Sequence, residues 1–346
     1  MSDRWIECVP NISEGVDQQI IDSVVSAARE IPDVAILGCE PDPDYNRTVI
    51  TFAGEWFSVA RAAVALIERA AELIDMRNHV GNHPRMGAVD VCPFVPISDG
   101  TLDDCHLAAS FVAAELGKKL PFFFYGSAAT HPSREALSNL RRGQYEGLES
   151  RFIGGEWGDE NTRLPDNWSG VWGEAEAKFG AVAIGVRPVL VAYNVNVNEA
   201  EPVASKAAGS IVRSSGRLLK SPTGERIRTR GMLEAVQGMG VPLPSHGISQ
   251  VSMNLQDFRV TSMHVAFECV QSICADHGVE LCGSELVGLV PLQAMVDSGA
   301  WFTGDDKLPV EELVSAAVEG LGLSYLEDFD PQTRIIEWAI SNELGD

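Results

Sequence analysis

The chain has 346 residues, of which 45% are hydrophobic and 22% are charged, as in ordinary globular proteins. A chain of this length is too long for a single small hydrophobic core, which predicts two compact units. Its 26 lysines and arginines stand against 49 aspartates and glutamates, which gives a formal net charge of −23. Such an acidic surface repels nucleic acids and anionic membranes, so we expect neither as a partner.

The cysteines and the longest apolar run indicate a cellular compartment. Seven cysteines form no CxxC pair, which argues against a disulfide framework or a zinc knuckle and for a reducing environment. No apolar run follows the charges of residues 1–5, so no signal peptide is expected. The apolar stretch 181–195 contains a glycine, an arginine and a proline, and is shorter than the roughly 20 residues that cross a bilayer. We expect a cytoplasmic protein.

The first half alternates strands and helices. Apolar residues at period 2 or period 3.6, bounded by glycine and proline, define these segments. Strands are predicted at 5–10, 34–39, 48–53, 89–95 and 121–125, and helices at 16–30, 57–76 and 101–119. An acidic, turn-rich loop is predicted at 41–45.

Residues 143–180 are rich in glycine and contain Trp157, Trp168 and Trp172. Loops of this length in a compact domain are usually functional or disordered. The tryptophans favour an ordered loop that contacts something flat and apolar. They could equally cover an edge of the core, and the sequence leaves both interpretations open.

The second half resumes the alternation after residue 180. Strands are predicted at 189–197, 250–258 and 279–282, and helices at 198–217, 230–239 and 261–277, with two further helical segments towards the end. The order predicts an α+β fold, an α/β sandwich of two subdomains at 1–180 and 181–340. Each is expected to have a mainly antiparallel sheet covered by helices, with a ferredoxin-like strand order in the second.

The segment 81–94 holds His83, Arg85 and Asp90 between two glycines and two prolines. Proline and glycine restrict or permit unusual backbone conformations, so a histidine there is held without being hidden in a regular element. Histidine titrates near neutrality, which suits a general base beside charged neighbours. A structural role for His83 is the alternative. His79 precedes it at metal-ligand spacing, but the intervening glycine and the following proline break the helix that such a pair requires, so no metal site is predicted.

Charged residues also cluster around the predicted third strand. Glu40, Asp42 and Asp44 could bind a divalent cation, stabilise a developing positive charge, or simply solvate a loop. Arg47 stands at the head of the strand that follows, which places it near the same edge as Glu40.

Three further arginines are candidate ligands for a carboxylate. Arg141 and Arg142 close a helical stretch, where they could bind a carboxylate or only complement the helix dipole. Arg187 lies in an otherwise apolar strand and needs a partner or a ligand. The sequence lacks the GxxxxGK[ST], GxGxxG, GxSxG and HExxH patterns, so it gives no support to nucleotide-phosphate, serine-hydrolase or zinc-protease chemistry.

Seven separate motifs resemble one family. They are Glu7 to Gly15, Asn46 to Val49, His83 to Pro93, Arg142 to Glu146, Ala192 to Asn196, Gln250 to Leu255 and Gly283 to Pro291. In order and content they resemble glutamate formimidoyltransferase, including the transferase part of the formimidoyltransferase-cyclodeaminase family. The resemblance covers about residues 5–338.

The resemblance implies two α/β subdomains with tetrahydrofolate, a co-substrate, in a tunnel between them. It implies transfer of a formimidoyl group from N-formimidoyl-L-glutamate to a pterin nitrogen during histidine degradation, by a homodimer. The family's catalytic histidine falls on His83 and its catalytic aspartate on Glu40. The donor's two carboxylates call for arginines, and the available ones are Arg47, Arg85, Arg142 and Arg187. The folate-binding segment falls on Val171, Trp172, Gly173, Lys178, Phe179 and Gly180.

Several positions depart from the family pattern. Glu40 replaces an aspartate, Ser127 replaces a glutamate, and the loop 157–178 fits the pattern poorly. Two alternatives therefore stay open. One is a related folate-dependent transferase with another donor, such as N-formylglutamate, and the other is a folate-binding protein without catalysis.

Overall fold

The computed structural model describes residues 4–155, 157, 160–168, 171–221 and 223–345. The chain forms two compact units, one that runs up to Arg187 and includes the segment from Ile340 onward, and one from Pro188 to Ala339. The first unit thus extends past the boundary predicted at residue 180. The reason is that the strand Val182–Val186 pairs with two strands of the first sheet.

The first unit alternates strands and helices as its apolar periodicity predicts. Its strands are β1 (Arg4–Cys8), β2 (Asn11–Ile12), β3 (Val34–Asp42), β4 (Arg47–Gly54), β5 (Val89–Ser98), β6 (Phe122–Gly126) and β7 (Val182–Val186). Its helices are α1 (Gln18–Arg29), α2 (Trp56–Leu73), α3 (Leu102–Leu116), α4 (Leu137–Leu140), α5 (Leu148–Ile153), α6 (Glu160–Arg163) and α7 (Glu174–Phe179).

The strands of the first unit form one sheet in the order β3-β4-β1-β5-β7-β6, with β2 between β4 and β5 beyond the end of β1. The pairs up to β5 are antiparallel, and β5-β7-β6 are parallel. The elements β1-α1-β3-β4-α2-β5 give the spatial order β3-β4-β1-β5, which is ferredoxin-like. The sequence predicted that order for the second unit alone.

The two faces of this sheet differ because successive side chains of a strand point to opposite sides. In β4, Ile50 and Phe52 are fully buried in the core under α1, α2 and α3. The alternate residues Arg47, Val49 and Thr51 are only partly buried, and they face the other way. We call that other side the open face of the first sheet, and it carries the candidate site.

The second unit contains its own antiparallel sheet. Its strands are β8 (Val191–Val197), β9 (Arg217–Lys220), β10 (Arg226–Thr229), β11 (Val236–Leu243), β12 (Ile248–Leu255) and β13 (Leu281–Val287). Its helices are α8 (Ala204–Val212), α9 (Met263–Asp276), α10 (Leu292–Thr303), α11 (Val310–Leu321), α12 (Pro331–Arg334) and the start of α13 (Ile336–Leu344). The order β11-β12-β8-β13 confirms the ferredoxin-like prediction, and β9 and β10 form a separate hairpin.

The helix predicted at 230–239 is wrong, because β11 begins within it. Gly238 and Gly240 explain the error, since α8 packs closely over that strand. A Cβ at Gly240 would lie 2.2 Å from the backbone nitrogen of Lys206. The predicted helix 198–217 is also shorter in the structure, where α8 covers Ala204–Val212. Within the described ranges, no helix combines the length and apolar character needed to cross a membrane.

Candidate active site

A narrow recess lies on the open face of the first sheet, beside the start of β4. Its empty space is about 190 Å³ with the open solvent at its entrance included, so the recess is a gap between side chains and not a pocket that encloses a ligand. The lining residues are Ile12, Ser13, Tyr45, Asn46, Arg47, His79, His83, Arg85 and Asp90.

Asn46 fixes the turn that leads into the recess. Its φ is +49°, a left-handed conformation that asparagine tolerates better than most residues. Its side chain is bonded at both ends, since Nδ2 donates to the Val80 carbonyl at 2.9 Å and Oδ1 accepts from the Gly15 N–H at 2.9 Å. Gly15 is required at this contact, because a Cβ there would lie 2.4 Å from the Asp42 carbonyl oxygen. The turn thus holds Tyr45 and Arg47 on either side of Asn46.

His79 joins this turn to the loop that carries His83. Its Nδ1 accepts from Arg85 Nε at 3.2 Å, and its Nε2 lies 2.9 Å from the Asn46 carbonyl oxygen. An arginine can only donate, so Nδ1 must be unprotonated and Nε2 must carry the hydrogen. This assignment makes His79 a neutral bridge.

Arg85, predicted to bind substrate, already has an anionic partner. Its Nη2 and Nη1 donate to Glu146 Oε1 at 2.6 Å and Oε2 at 2.9 Å, a bidentate pair. The guanidinium is buried and lies 5.9 Å from the centre of the Tyr145 ring, while the Glu146 side chain is 63% exposed. Arg85 therefore ties the loop before α5 to the His83 loop, and its charge is compensated.

His83 is a titratable side chain that lines the recess and lies near positively charged arginines. Its ring is half-buried, and Nδ1 is enclosed with no hydrogen-bond partner among the described residues. The Tyr45 ring meets it edge-on at 6.0 Å. Burial lowers the pKa of His83 to about 4, and the positive charges of Arg47 and Arg141 contribute to that shift. At neutral pH the ring is therefore uncharged and able to accept a proton.

Asp90 and Arg141 form a buried ion pair beside the recess. Asp90 is 2% exposed, and its carboxylate accepts from Arg141 through both oxygens and from the Met86 N–H at 3.0 Å. Burial raises the pKa of Asp90, against the opposing effect of Arg141. Of the two adjacent arginines, Arg141 is thus the one that reaches the site. The predicted ligand Arg142 is exposed, with its guanidinium over the Trp157 ring at 5.8 Å.

Arg47 lies within the recess, at the head of β4. Its Nε donates to Asn11 Oδ1 at 2.7 Å, which aims the guanidinium along the open face. Burial lowers the pKa of Arg47 from its usual value, and the charge of Arg141 adds to that effect. Arginine loses its proton only far above neutral pH, so Arg47 remains cationic and presents positive charge beside His83.

Glu40 stands outside the lining of the recess. It is exposed on β3 opposite Val49, and Asp42, two residues on, is opposite Arg47. Residues two apart in a strand share a face, so Glu40 is on the same side of the sheet as Arg47. Asp42 has a local role, because its Oδ1 accepts from the backbone N–H groups of Asp44 and Tyr45, both at 3.0 Å.

The C-terminal part of the predicted folate-binding segment lies against the His83 loop. Phe179 is buried in the core, and its carbonyl accepts from the Ala88 N–H at 2.8 Å. Gly180 follows with φ at +77°, and a Cβ there would lie 2.2 Å from the Met86 carbonyl oxygen. Lys178 Nζ donates to the Glu72 carbonyl at 2.7 Å. The first two contacts hold the backbone of Phe179 and Gly180 against the loop, while Lys178 binds the end of α2.

The N-terminal part of that segment covers a small apolar cluster. The Trp172 ring meets Phe152 edge-on at 5.2 Å, and Trp168 packs against the same cluster. Val171 is exposed, and the Gly173 N–H donates to Glu176 Oε2 at 2.8 Å. In the described part of the loop the tryptophans thus cover the edge of a core.

Two other predicted positions lie away from the recess lining. Ser127 Oγ donates to the Val186 carbonyl at 3.3 Å and lies 3.2 Å from His106 Nε2. Arg187 is half-buried at the end of β7, and its N–H donates to the Phe94 carbonyl at 3.1 Å. Among the residues that the structure describes, no group of three histidine, cysteine, aspartate or glutamate side chains could hold a metal ion.

Sequence reasoning missed several residues of the recess. Asn46 and Asn11 hold Arg47 in place, and Tyr45 contacts the ring of His83. Asn46 could have been found, because it is an asparagine directly after a predicted turn-rich loop, and asparagine is the residue type that most often adopts positive φ after glycine. No sequence signal singled out Glu146 as the partner of Arg85.

Comparison with known families identifies both units. The formiminotransferase domain, N-terminal subdomain, matches residues 5–187, and the formiminotransferase domain matches residues 192–341. These two matches fall on the two compact units.

Individual relatives agree with that result. The chain is 38% identical to formimidoyltransferase-cyclodeaminase of Rattus norvegicus over 344 residues, which is 97% of this chain and 60% of that protein. It is 36% identical to glutamate formimidoyltransferase of Streptococcus pyogenes serotype M1 over 303 residues, 86% of this chain and 93% of that protein. The corresponding protein of Thermoplasma acidophilum is 36% identical over 301 residues. The chain thus spans less than two thirds of the rat protein. From the two domain matches and these relatives, the chain belongs to the formiminotransferase domain family.

Proposed function

We propose that this protein transfers a formimidoyl group from N-formimidoyl-L-glutamate to tetrahydrofolate, a step of histidine degradation. The proposal rests first on the neutral ring of His83, which lines the recess together with Arg47 and has its pKa lowered by burial and by the charges of Arg47 and Arg141. The names of the two glutamate formimidoyltransferases, which are matched over most of their length, support it.

His83 acts as the general base. The accepting nitrogen of tetrahydrofolate must lose a proton as it bonds to the formimidoyl carbon, and a neutral imidazole can take that proton. Because Nδ1 is enclosed, we assign proton acceptance to Nε2. The protonated ring would lie beside Arg47 and Arg141, which favour release of the proton after transfer.

Arg47 holds a carboxylate of the glutamate donor. Its guanidinium lines the recess, whereas Arg85 is already paired with Glu146. Arginine binds carboxylates through two parallel hydrogen bonds, which fixes orientation as well as charge. Arg142 and Arg187 remain further candidates outside the recess, and residues 171–180 remain the candidate folate-binding segment.

A second donor, N-formylglutamate, is favoured by one observation. Glu40 is exposed near the end of β3. The position that the resemblance assigns to a glutamate is Ser127, whose hydroxyl donates a hydrogen bond to the Val186 carbonyl. Fewer carboxylates at the site would favour a neutral formyl group over a cationic amidine. Parallel assays with both donors separate the two, and preferential use of the formyl donor would replace the first proposal.

Substitution of His83 tests the proposal directly. General base catalysis contributes about 10²- to 10⁴-fold, so His83→Gln should lower kcat by that range in the transfer assay. His106→Gln is the matched control, since it removes a half-buried imidazole outside the recess. Near-normal turnover by His83→Gln would overturn the assignment of the base. Binding of tetrahydrofolate without transfer of either donor would instead indicate a non-catalytic folate-binding protein.

We further propose a cytoplasmic location and a homodimer. The seven cysteines are all free thiols in the structure, including the buried Cys8 and Cys92 with sulfurs 3.6 Å apart. Unpaired thiols this close are typical of a reducing compartment. Sedimentation of the purified protein tests the homodimer, and a monomer at micromolar concentration would contradict it.

A further inference from the structure

A basic hairpin belongs to the second unit of this acidic chain. Residues 213–230 contain six arginines and lysines and one glutamate, whereas the whole chain has 26 basic and 49 acidic residues. Strands β9 and β10 of this segment form a separate two-stranded sheet, with Arg217 opposite Thr229 at one end and Lys220 opposite Arg226 at the other. We call residues 217–229 the basic hairpin.

The base of the basic hairpin is fixed to its unit. Gly216 has a φ of +60°, and a Cβ there would overlap the Thr229 carbonyl oxygen. Just beyond the strands, the Met232 N–H donates to the Ile211 carbonyl at 2.8 Å. The hairpin therefore starts from a well-defined position, and what its strands contact depends on what lies around them.

Both faces of the basic hairpin are exposed. Its strand residues are exposed with the exception of Thr229, and they include three apolar side chains, Leu218, Leu219 and Ile227, that are 42–50% exposed. Leu219 lies directly opposite Ile227, so these two form an apolar pair on one face. A two-stranded hairpin with no further cover is at best marginally stable in water. The hairpin thus offers apolar surface that a partner would cover.

The other face of the basic hairpin carries uncompensated positive charge. Lys220 lies directly opposite Arg226, and like charges in such positions destabilise a pair of strands. Arg228, on the same face, donates to the Ser215 carbonyl at 3.1 Å. Within the described ranges, no salt bridge joins Lys220, Arg226 or Arg228 to a carboxylate. An acidic partner surface would remove the repulsion between Lys220 and Arg226.

A second copy of this chain has such a surface. Each copy has a formal net charge of −23, so two copies repel each other unless one side of their contact is basic. Two hairpins face to face would bring like charges together, which favours contact between a hairpin and an acidic region instead.

We propose that two copies of this chain associate through the basic hairpin, with the hairpin of each copy lying on an acidic part of the other. The proposal rests on the homodimer proposed above and assigns the surface that forms it. It does not depend on the transfer reaction.

Hydrogen exchange of the wild-type protein tests the proposal without any substitution. Samples are measured over a range of protein concentrations, and sedimentation gives the fraction of dimer in each. At about ten times the dissociation constant of the dimer, the backbone N–H groups of residues 217–229 should exchange about tenfold more slowly than in the monomer. Those of β8 serve as the reference and should not change. Unchanged exchange of the hairpin in a dimer would overturn the proposal and leave the homodimer standing.

Other occupants of the hairpin give different results in the same experiment. A monomer at every concentration would overturn both the proposal and the homodimer. Slower exchange of the hairpin in a monomer after addition of short duplex DNA would assign it to a nucleic acid and would also overturn the proposal.

Charge reversal in the hairpin is the second test. Lys220→Glu with Arg226→Glu exchanges one pair of like charges for another, so the repulsion inside the hairpin is kept while its charge is reversed. Sedimentation should show the dissociation constant of the dimer raised by about 100-fold or more, because like charges would then meet across the contact.

Lys206→Glu with Lys307→Glu is the matched control, because both lysines are exposed in the same unit and the change in net charge is the same. Its dissociation constant should stay near the wild-type value. A similar rise in both double variants would mean that net charge, and not the hairpin, controls association, and would overturn the proposal. Wild type that dimerises through the hairpin but transfers neither donor would contradict the proposed function alone.

Discussion

The two units share a strand order but carry different chemistry on their open faces. In both, a βαββαβ unit gives an antiparallel sheet with its first strand between the third and fourth. The first sheet presents a recess with Arg47, His83 and Asp90. The second presents hydrogen-bonded polar side chains, those of Asn196, Gln250 and Glu285. The scaffold thus determines where outward side chains stand, and the residue at each alternate position determines what they do.

Electrostatic effects reach farther in the first unit than in the second. Burial lowers the pKa of His83, and the charges of Arg47 and Arg141 add to the shift because charges act at a distance through a partly buried medium. On the second sheet, the side chains of Asn196 and Gln250 are neutral and act only at hydrogen-bond distance. Substitutions in the first unit should therefore change protonation, while those in the second should change binding or packing locally.

The largest expected difference concerns the stability of the two faces. Arg141→Met leaves the carboxylate of Asp90 buried and uncompensated, which should lower the free energy of unfolding by about 3–5 kcal/mol. Gln250→Ala removes one hydrogen bond to an amide oxygen and one to a carboxylate oxygen, and should cost about 1–3 kcal/mol. Urea denaturation of both variants measures the two values.

The double variant Asp90→Asn with Arg141→Met is the control for this comparison. It removes the charge that Arg141→Met leaves unpaired, so it should recover part of the lost stability. If the double variant were less stable than Arg141→Met by the full cost of Asp90→Asn alone, the two residues would not act as a pair. The contrast between a charged and an amide face would then lose its energetic basis.

The sequence predicted the strands and helices well where apolar periodicity was strong, as in α2 and β12. It failed at 230–239, where glycines that admit α8 also removed the alternation that marks a strand. It selected His83 from its loop chemistry and Arg47 from its position at a strand head. It could not pair Arg85 with Glu146, which are 61 residues apart, or choose Arg141 over Arg142, because both depend on tertiary contacts.

The next largest effect should be a change in the pH profile. A histidine with its pKa near 4 is protonated only in acid, so the acidic limb of kcat/KM should fall near pH 4. Arg47→Met removes a charge that lowers this pKa, so the limb should move upward, towards the ordinary 6.5. Burial, the main cause, remains, so the shift should be partial. Arg142→Met, which leaves the charges beside His83 in place, should not move the limb.

Substitution of His79 should lower kcat to an intermediate degree, which depends on which of its two hydrogen-bonding nitrogens the new side chain replaces. His79→Gln can keep the hydrogen bond to the Asn46 carbonyl, and His79→Asn can keep the acceptor for Arg85 Nε. Because Asn46 sets the turn that holds Tyr45 and Arg47, the glutamine variant should keep more activity, with kcat lowered about threefold against about tenfold for asparagine. The opposite order would show that the Arg85 contact matters more. A raised KM with an unchanged kcat would contradict a positioning role in the recess.

The smallest effect should come from Glu40, the residue that the resemblance makes catalytic and that the structure leaves exposed on β3. A carboxylate in water interacts weakly with charge, since the solvent screens it. If Glu40 acts at long range, Glu40→Gln should lower kcat with formimidoylglutamate by less than tenfold and leave N-formylglutamate unaffected, because only the first donor carries a cationic amidine. A loss of 10²-fold or more would mean that Glu40 reaches the reacting group in the complex. The first unit would then supply two charged groups, His83 apart, to the donor: Arg47 for its carboxylate and Glu40 for its amidine.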